Sequence, residues 1–200
     1  MGTLQAAGTK PGDGNSPRRR DRAVDDEAWM LEFLHRAEFG FFAVADDGRP
    51  YVVPNLFVAD AAGTVIYLHS ARTGQSPSTF KEGTPVCFTV ASMGRLLPAD
   101  TALEFSVEYA SVTMRGRVDT VRDAAEAERG LQLLLDKYCP HLRPDRDYRA
   151  ITMDELRRTA VFRIDVEGWS AKRKTEADDF PGAFYFSTRP DSLGEWWRPG

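Results

Sequence analysis

The stretch 39–69 holds three apolar runs separated by turn chemistry alone, and this restricts the chain to antiparallel β structure. Residues 39–45 read FGFFAVA, Asp46-Asp47-Gly48 follows, and residues 51–58 continue as YVVPNLFV. Asp-Gly between apolar runs is a strong hairpin signal, because a two-residue turn that matches strand twist needs φ > 0 at both positions. A second turn sequence at 60–63, DAAG, leads into the third run, 65–69. Parallel pairing needs a crossover of about a dozen residues or more, so connections this short force a meander.

Further strands are expected at 86–91, within PVCFTVA, and over the long alternating segment 106–121, which suits one bent strand or two. A loop containing Met93, Gly94 and Pro98 should join them. Residues 160–166 alternate as the last strand, and Gly168-Trp169-Ser170-Ala171-Lys172 follows at once. Helices interrupt this order. Asp25 and Asp26 begin a short one with Ala28, Leu31 and Leu34 on a stripe, Trp29 and Phe33 beside them, running through His35. Ser76-Pro77 starts a brief one through Phe80 and Lys81 that Gly83 closes. Asp123 opens an amphipathic helix with Ala127, Leu131, Leu134, Leu135 and Tyr138 on one face, stopped by Pro140.

Six hairpin-linked strands with flanking helices predict a mainly β fold, a closed or partly closed antiparallel barrel, over a doubly wound sheet. On pattern alone an open α+β sandwich also fits. Phe39, Phe41, Phe42, Phe57 and Tyr67 are expected in the core, with Cys87 as a further buried apolar residue.

Residues 1–23, rich in Gly, Pro, Ser, Thr and Arg, read as a disordered tail; 24–174 read as one domain and 175–200 as a C-terminal extension. Trp196 and Trp197, flanked by Gly and Pro in that extension, suit a docking contact. A net charge of -4 argues against nucleic acid as the main partner. No apolar run approaches the roughly 20 residues that cross a bilayer. The arginines at 18, 19, 20 and 22 are followed by Asp25, Asp26 and Glu27, where an export signal would turn apolar. Cys87 and Cys139 lack metal-ligand spacing, and a reducing cytoplasm is expected.

The chain contains no GxGxxG, GxxxxGK, GxSxG or HExxH. His35 and His141 belong to no motif and read as surface or capping residues. The run His69-Ser70-Ala71-Arg72-Thr73-Gly74 differs: imidazole, hydroxyls, guanidinium and glycine gather at a strand exit ahead of a helix, which suits a phosphate and equally suits a polar loop.

The order of GFFAVADDGRPYVVPNLFVADAAGTVIYLHSARTG, PVCFTV, EYASVTMRGRVD, a helix and FRIDVEGWSAKRK resembles the pyridoxamine-phosphate-oxidase-like flavin proteins, nearest the nitroimidazole-resistance branch. The resemblance covers about 29–174 and implies a six-stranded split barrel of the FMN-binding type, a homodimer, and FMN in the cleft between subunits. It places Val52, Val53, Pro54 and Asn55 along the flavin ring. His69 and Ser70 fall at the ribityl and phosphate end, with His69 also an active-site residue, and Trp169 and Lys172 fall in a segment reaching the site from the partner subunit. Two departures stand out. Gln75-Ser76 replaces the basic pair the family carries after the glycine, which moves the phosphate to Arg72, Ser70, Ser76 and Lys81. Pro54-Asn55-Leu56 inverts the frequent Pro-Leu-Asn order and turns the Asn side chain to the other face.

The implied activity is an FMN-dependent oxidoreductase passing electrons from NAD(P)H to a small acceptor, nitroaromatics among the candidates. A non-catalytic flavin- or haem-binding protein is the alternative. Pyridoxamine-phosphate oxidation stands third, for want of cations to hold a substrate phosphate.

Overall fold

The computed structural model describes residues 17–188. The strands are β1 (Ala23–Val24), β2 (Gly40–Asp46), β3 (Arg49–Asn55), β4 (Val58–Ala59), β5 (Val65–Ala71), β6 (Thr84–Leu97), β7 (Ser106–Thr120), β8 (Thr159–Lys174) and β9 (Phe184–Tyr185). The α-helices are α1 (Glu27–Arg36), α2 (Gln75–Thr79), α3 (Ala124–Tyr138) and α4 (Met153–Arg158). One antiparallel sheet runs β3-β2-β6-β7-β8-β5-β4, with β1 against β8 and β9 against β6. This is the split-barrel class the sequence predicts, with nine strands instead of six and a hydrogen-bonded path that does not close.

The split lies at a single break in the chain. The expected strand 51–58 breaks at Leu56-Phe57: β3 pairs with β2 at one end of the path, while β4 pairs with β5 at the other. Pro54 brings no N–H to a ladder. Phe57, fully buried, finds partners off the sheet: its N–H donates to the Tyr138 hydroxyl at 3.1 Å, and that hydroxyl also lies 2.7 Å from Glu38 O and 3.0 Å from Phe57 O. A side chain of α3 thus satisfies the backbone where the chain leaves one edge for the other.

The β2–β3 hairpin turns on Asp47 (φ 48) and Gly48 (φ 79), the two left-handed positions expected of Asp-Gly. Asp60 holds the next turn, accepting from Thr64 N, Thr64 Oγ1 and Val65 N. The main core packs on one side of the sheet with Phe42, Phe57, Phe88, Phe162, Ile66, Leu68, Trp169 and the α1 residues Met30 and Leu34. Met30 takes the place expected of Ala28, which is exposed. A smaller cluster lies under α3, where Ala127 and Leu134 meet Tyr67, Val58, Val161 and Leu156. Of the expected α3 stripe, Ala127, Leu131, Leu134 and Tyr138 pack in this cluster, with Leu133 there in place of Leu135.

Several expectations are corrected. Met93 and Gly94 are not in a loop: β6 continues through Leu97 across a register shift between Met93 and Leu96, while Pro98 lies beyond it. There Arg95 pairs with Glu108 through Nη2 to Oε1 at 2.7 Å and Nε to Oε2 at 2.8 Å. The last strand extends through Gly168–Lys174 instead of ending at 166, with its own shift opposite Arg115/Gly116. Phe39 and Phe41 are 47% and 41% exposed, because Phe41 alternates with the buried Phe42 and points outward. Cys87, on the same outward face, is half-buried. The helix expected from Ser76 through Lys81 starts at Gln75 and stops at Thr79, and Ser76 does not cap it.

Residues 20–22 form a 3-10 turn and Ala23 enters β1, so the last residues of the expected tail are structured. Met1–Ser16 and residues 189–200, with Trp196 and Trp197, lie outside the described residues. Of the C-terminal extension, Glu176, Ala177 and Asp178 present their carbonyls to Arg95, and β9 pairs with Arg95 and Leu96.

Candidate functional site

Side chains alternate across a strand, so β5 serves two layers. Ile66 and Leu68 enter the main core, whereas Tyr67 belongs to the cluster under α3. His69 follows Tyr67 to that side. It lines a cavity of about 500 Å³ with Leu56, Leu131, Leu134, Leu135, Tyr138 and Ile151, with Arg149 and Glu155 also on its wall. His69 Nδ1 is buried and has no hydrogen-bond partner, and burial holds the imidazole below its ordinary pKa. A buried imidazole nitrogen without a protein partner in a largely apolar cavity makes His69 a candidate ligand-binding group.

Asn55 stitches the split. Its Nδ2 donates to His69 O at 2.9 Å, joining the end of β3 to β5 where no ladder does so. The inverted Pro-Asn-Leu order therefore has a consequence: Asn55 bridges the strand ends. Tyr51 on β3 shares a 3.0 Å hydrogen bond with Ser76 Oγ, which ties the same strand to α2. Within this frame β3 is the last strand of the path, and its outer edge pairs with no other strand among the described residues.

The remaining expected site residues are not all brought together. Val52 and Pro54 are exposed and Val53 packs inward against the core. Ser70 alternates with His69 onto the opposite face of β5, and its Oγ donates to Ala71 O. Arg72 reaches α4, donating from Nη2 to Leu156 O at 2.9 Å. Lys81 is exposed beyond α2. Trp169 is buried in the barrel's own core opposite Met114, with Nε1 unpartnered, while Lys172 pairs with Ser111 and Ala23. The single-turn α2 is too short to provide a macrodipole for a phosphate.

The cavity is built by residues that motif reading passed over. Tyr67 donates to Glu126 at 2.9 Å, Arg163 donates to the same carboxylate at 2.9 Å, and Arg129 reaches the Tyr67 hydroxyl at 3.1 Å, fastening α3 over β5 and β8. The α4 wall begins with a capping box: Thr152 Oγ1 accepts from Glu155 N while Glu155 accepts from Thr152 N. The T-x-x-E spacing was the available sequence signal for α4. Glu155 also takes Arg149 at 2.9 Å. Lys137, the neighbour of Tyr138, lies 3.6 Å from the Phe57 ring centroid with Nζ buried and unpartnered, and burial lowers its pKa to about 8.

A rolled antiparallel sheet, split between β3 and β5 and bridged there by Asn55, defines a split-barrel protein. The matching family model, pyridoxamine 5'-phosphate oxidase, spans residues 26–173, and the chain belongs to that family. Curated protein sequences give no match. Among solved structures, it is similar to the flavocytochrome Anf3 from Azotobacter vinelandii at 23% identity and TM-score 0.70, covering 92% of this chain and 91% of that one. It is similar to the FAD and heme binding protein from Mycobacterium smegmatis at 23% identity and TM-score 0.67, over 78% and 77% of the two chains. A protein provisionally assigned to 5-nitroimidazole antibiotic resistance in Bacteroides thetaiotaomicron aligns at 21% identity and TM-score 0.61, over 76% and 86%. These likenesses establish the fold. No helix among the described residues is long and apolar enough to cross a membrane.

Proposed function

We propose that the chain is a flavin-dependent oxidoreductase acting as a cytoplasmic homodimer, taking a hydride from NAD(P)H and passing electrons to a small acceptor, nitroaromatics among them. The observation that carries this reading is the seam itself: an open β3 edge bridged by Asn55 to β5, beside a buried imidazole nitrogen without a partner. The residues present fit the ring of FMN: unpaired backbone along β3 offers donors and acceptors to its polar rim, while its phosphate would have to draw Arg72 away from Leu156 O.

Bound flavin supplies the two-electron chemistry. Val52, Val53, Pro54 and Asn55 would hold the ring through their backbone. Ser76, Ser70 and Arg72 would take the phosphate, with Lys81 as the remaining nearby cation in sequence. His69, kept neutral near pH 7 by burial, holds one proton and donates a hydrogen bond to the bound acceptor. The apolar lining excludes water around it.

The homodimer is supported by the outer face of β2, β3 and β6, where Phe39, Phe41, Val52 and Met93 are exposed; Val52 and Met93 are each 55% exposed. By register, Lys172 projects from this same side of the sheet, through Ser111 and Ala91. Trp169 supports the wall behind it. Two free cysteines accord with a reducing compartment.

A second reading, a flavin- or haem-binding protein without turnover, is favoured by the cavity: one imidazole among leucines and an isoleucine is a donor set that haem iron takes. Pyridoxamine-phosphate oxidation needs further cations that this seam does not supply. The test is oxidation of NADH or NADPH by the purified protein with a nitroaromatic acceptor. Turnover that His69→Asn abolishes while the flavin stays bound supports the first reading; flavin-loaded protein that oxidises neither nicotinamide overturns it.

A further inference from the structure

The cavity beneath α3 leaves its polar groups unequally satisfied, and the difference defines what it can hold. Its volume of about 500 Å³ lies within the roughly 300–1,000 Å³ of small-molecule sites. Leu131, Leu134 and Leu135 of α3 form one wall, Leu56 and His69 another, and Ile151 a third. None of the lining lies on β2, β3 or β6, the strands whose outer face suits a second subunit.

The charges on the wall cancel. Arg149 Nη2 meets Glu155 Oε1 at 2.9 Å, and Glu155 Oε2 takes Thr152 N and Thr152 Oγ1, each at 2.8 Å. Lys137 turns to the Phe57 ring, where its Nζ is sealed from solvent. A charged ligand would therefore lose its hydration and gain no countercharge. His69 differs. Of its two ring nitrogens only Nδ1 is sealed from solvent without a partner. A sealed N–H with no acceptor is rarer in proteins than an unused lone pair, so the proton of the neutral ring is assigned to Nε2. Nε2–H is then a donor for whatever enters the cavity. Tyr148, on the same wall, accepts from Gln132 at 2.9 Å, and among the described residues no acceptor takes its own proton.

We propose that this cavity binds an uncharged, apolar carbonyl compound, its oxygen on His69 Nε2–H and its carbon frame among the leucines. A carbonyl accepts without bringing a donor of its own, whereas a hydroxyl would carry an O–H to an apolar wall. The site shares His69 with the oxidoreductase reading but needs neither flavin nor nicotinamide.

The test is equilibrium dialysis of the full chain against three ligands with one ring system: 2-acetylnaphthalene, 2-ethylnaphthalene and 2-naphthoate. The ketone binds roughly two- to tenfold more tightly than the hydrocarbon, the effect of one neutral hydrogen bond, and the carboxylate binds more weakly than the ketone. His69→Phe removes the preference for the ketone and leaves the hydrocarbon bound. Leu135→Lys supplies a countercharge and strengthens naphthoate; Leu135 belongs to neither packed cluster, so this variant spares the core and decides the location even if His69→Phe does not fold. Equal binding of ketone and hydrocarbon, a preference that survives in folded His69→Phe, naphthoate binding that Leu135→Lys leaves unchanged, or no binding of any of the three overturns the inference. Because no nicotinamide is present, these failures are separate from a failure of turnover.

Discussion

Tyr138→Phe tests the account of the split, because it removes one oxygen and leaves the ring in place. The hydroxyl accepts from Phe57 N at 3.1 Å, and Phe57 is fully buried, so the substitution leaves a buried N–H with no protein partner. An orphaned buried donor costs about 1–3 kcal/mol. For a chain of this size each kcal/mol lowers Tm by about 2–4 °C, so the expected fall is about 2–12 °C. Urea denaturation followed by circular dichroism should show a lower midpoint with an unchanged slope, the signature of lost stability in an intact fold. Tyr148→Phe is the control. Among the described residues its hydroxyl accepts from Gln132 at 2.9 Å, and the expected change is within about 0.5 kcal/mol. If Tyr138→Phe is no more destabilising than Tyr148→Phe, the Phe57 backbone does not depend on α3 and the reasoning fails.

Further outcomes are expected elsewhere in the molecule. Asn55→Ala removes the bond to His69 O, lowering stability by about 0.5–1.5 kcal/mol and flavin affinity with it; a variant with unchanged affinity would remove Asn55 from the seam. Arg72→Ala should weaken FMN about ten- to a hundredfold more than riboflavin, the effect of one charge-assisted hydrogen bond. Equal losses would mean that Arg72 acts only by holding α4 through Leu156 O. The Arg95 hydrogen bonds chiefly hold the Glu108 carboxyl down to about 2, so docking of the C-terminal segment is complete above the ordinary 4.5 and is lost as pH falls toward about 2. Hydrogen exchange across 176–185, corrected for intrinsic rates, should accelerate over that window, and a flat profile contradicts it. Burial holds His69 below its ordinary 6.5, so its contribution to stability is full above that pH and declines as pH falls through the lowered value; denaturation midpoints at about pH 7 and about pH 5.5 should differ accordingly.

The parts of the fold legible in the sequence are those fixed by neighbours in the chain. Asp47-Gly48 dictates its hairpin, Asp60 closes its own turn, and the α3 stripe follows from spacing alone. What escaped depends on distant partners. The break at Leu56-Phe57 is stabilised by a tyrosine 81 residues away, and the continuation of β6 past Gly94 rests on Glu108 gripping Arg95. The exposure of Phe39 and Phe41 follows from which face of β2 the core occupies, which composition does not reveal. At the candidate site, alternation sends His69 and Ser70 to opposite faces, so adjacent residues in a motif do not share one ligand surface. The cavity beneath α3 was invisible because its lining comes from four separate segments.

The visible absorption spectrum of the purified protein tests the central claim most directly. The account predicts flavin bands, with one FMN released per chain on denaturation. A Soret band alone, or a colourless protein that takes up neither FMN nor riboflavin when they are added, would contradict it.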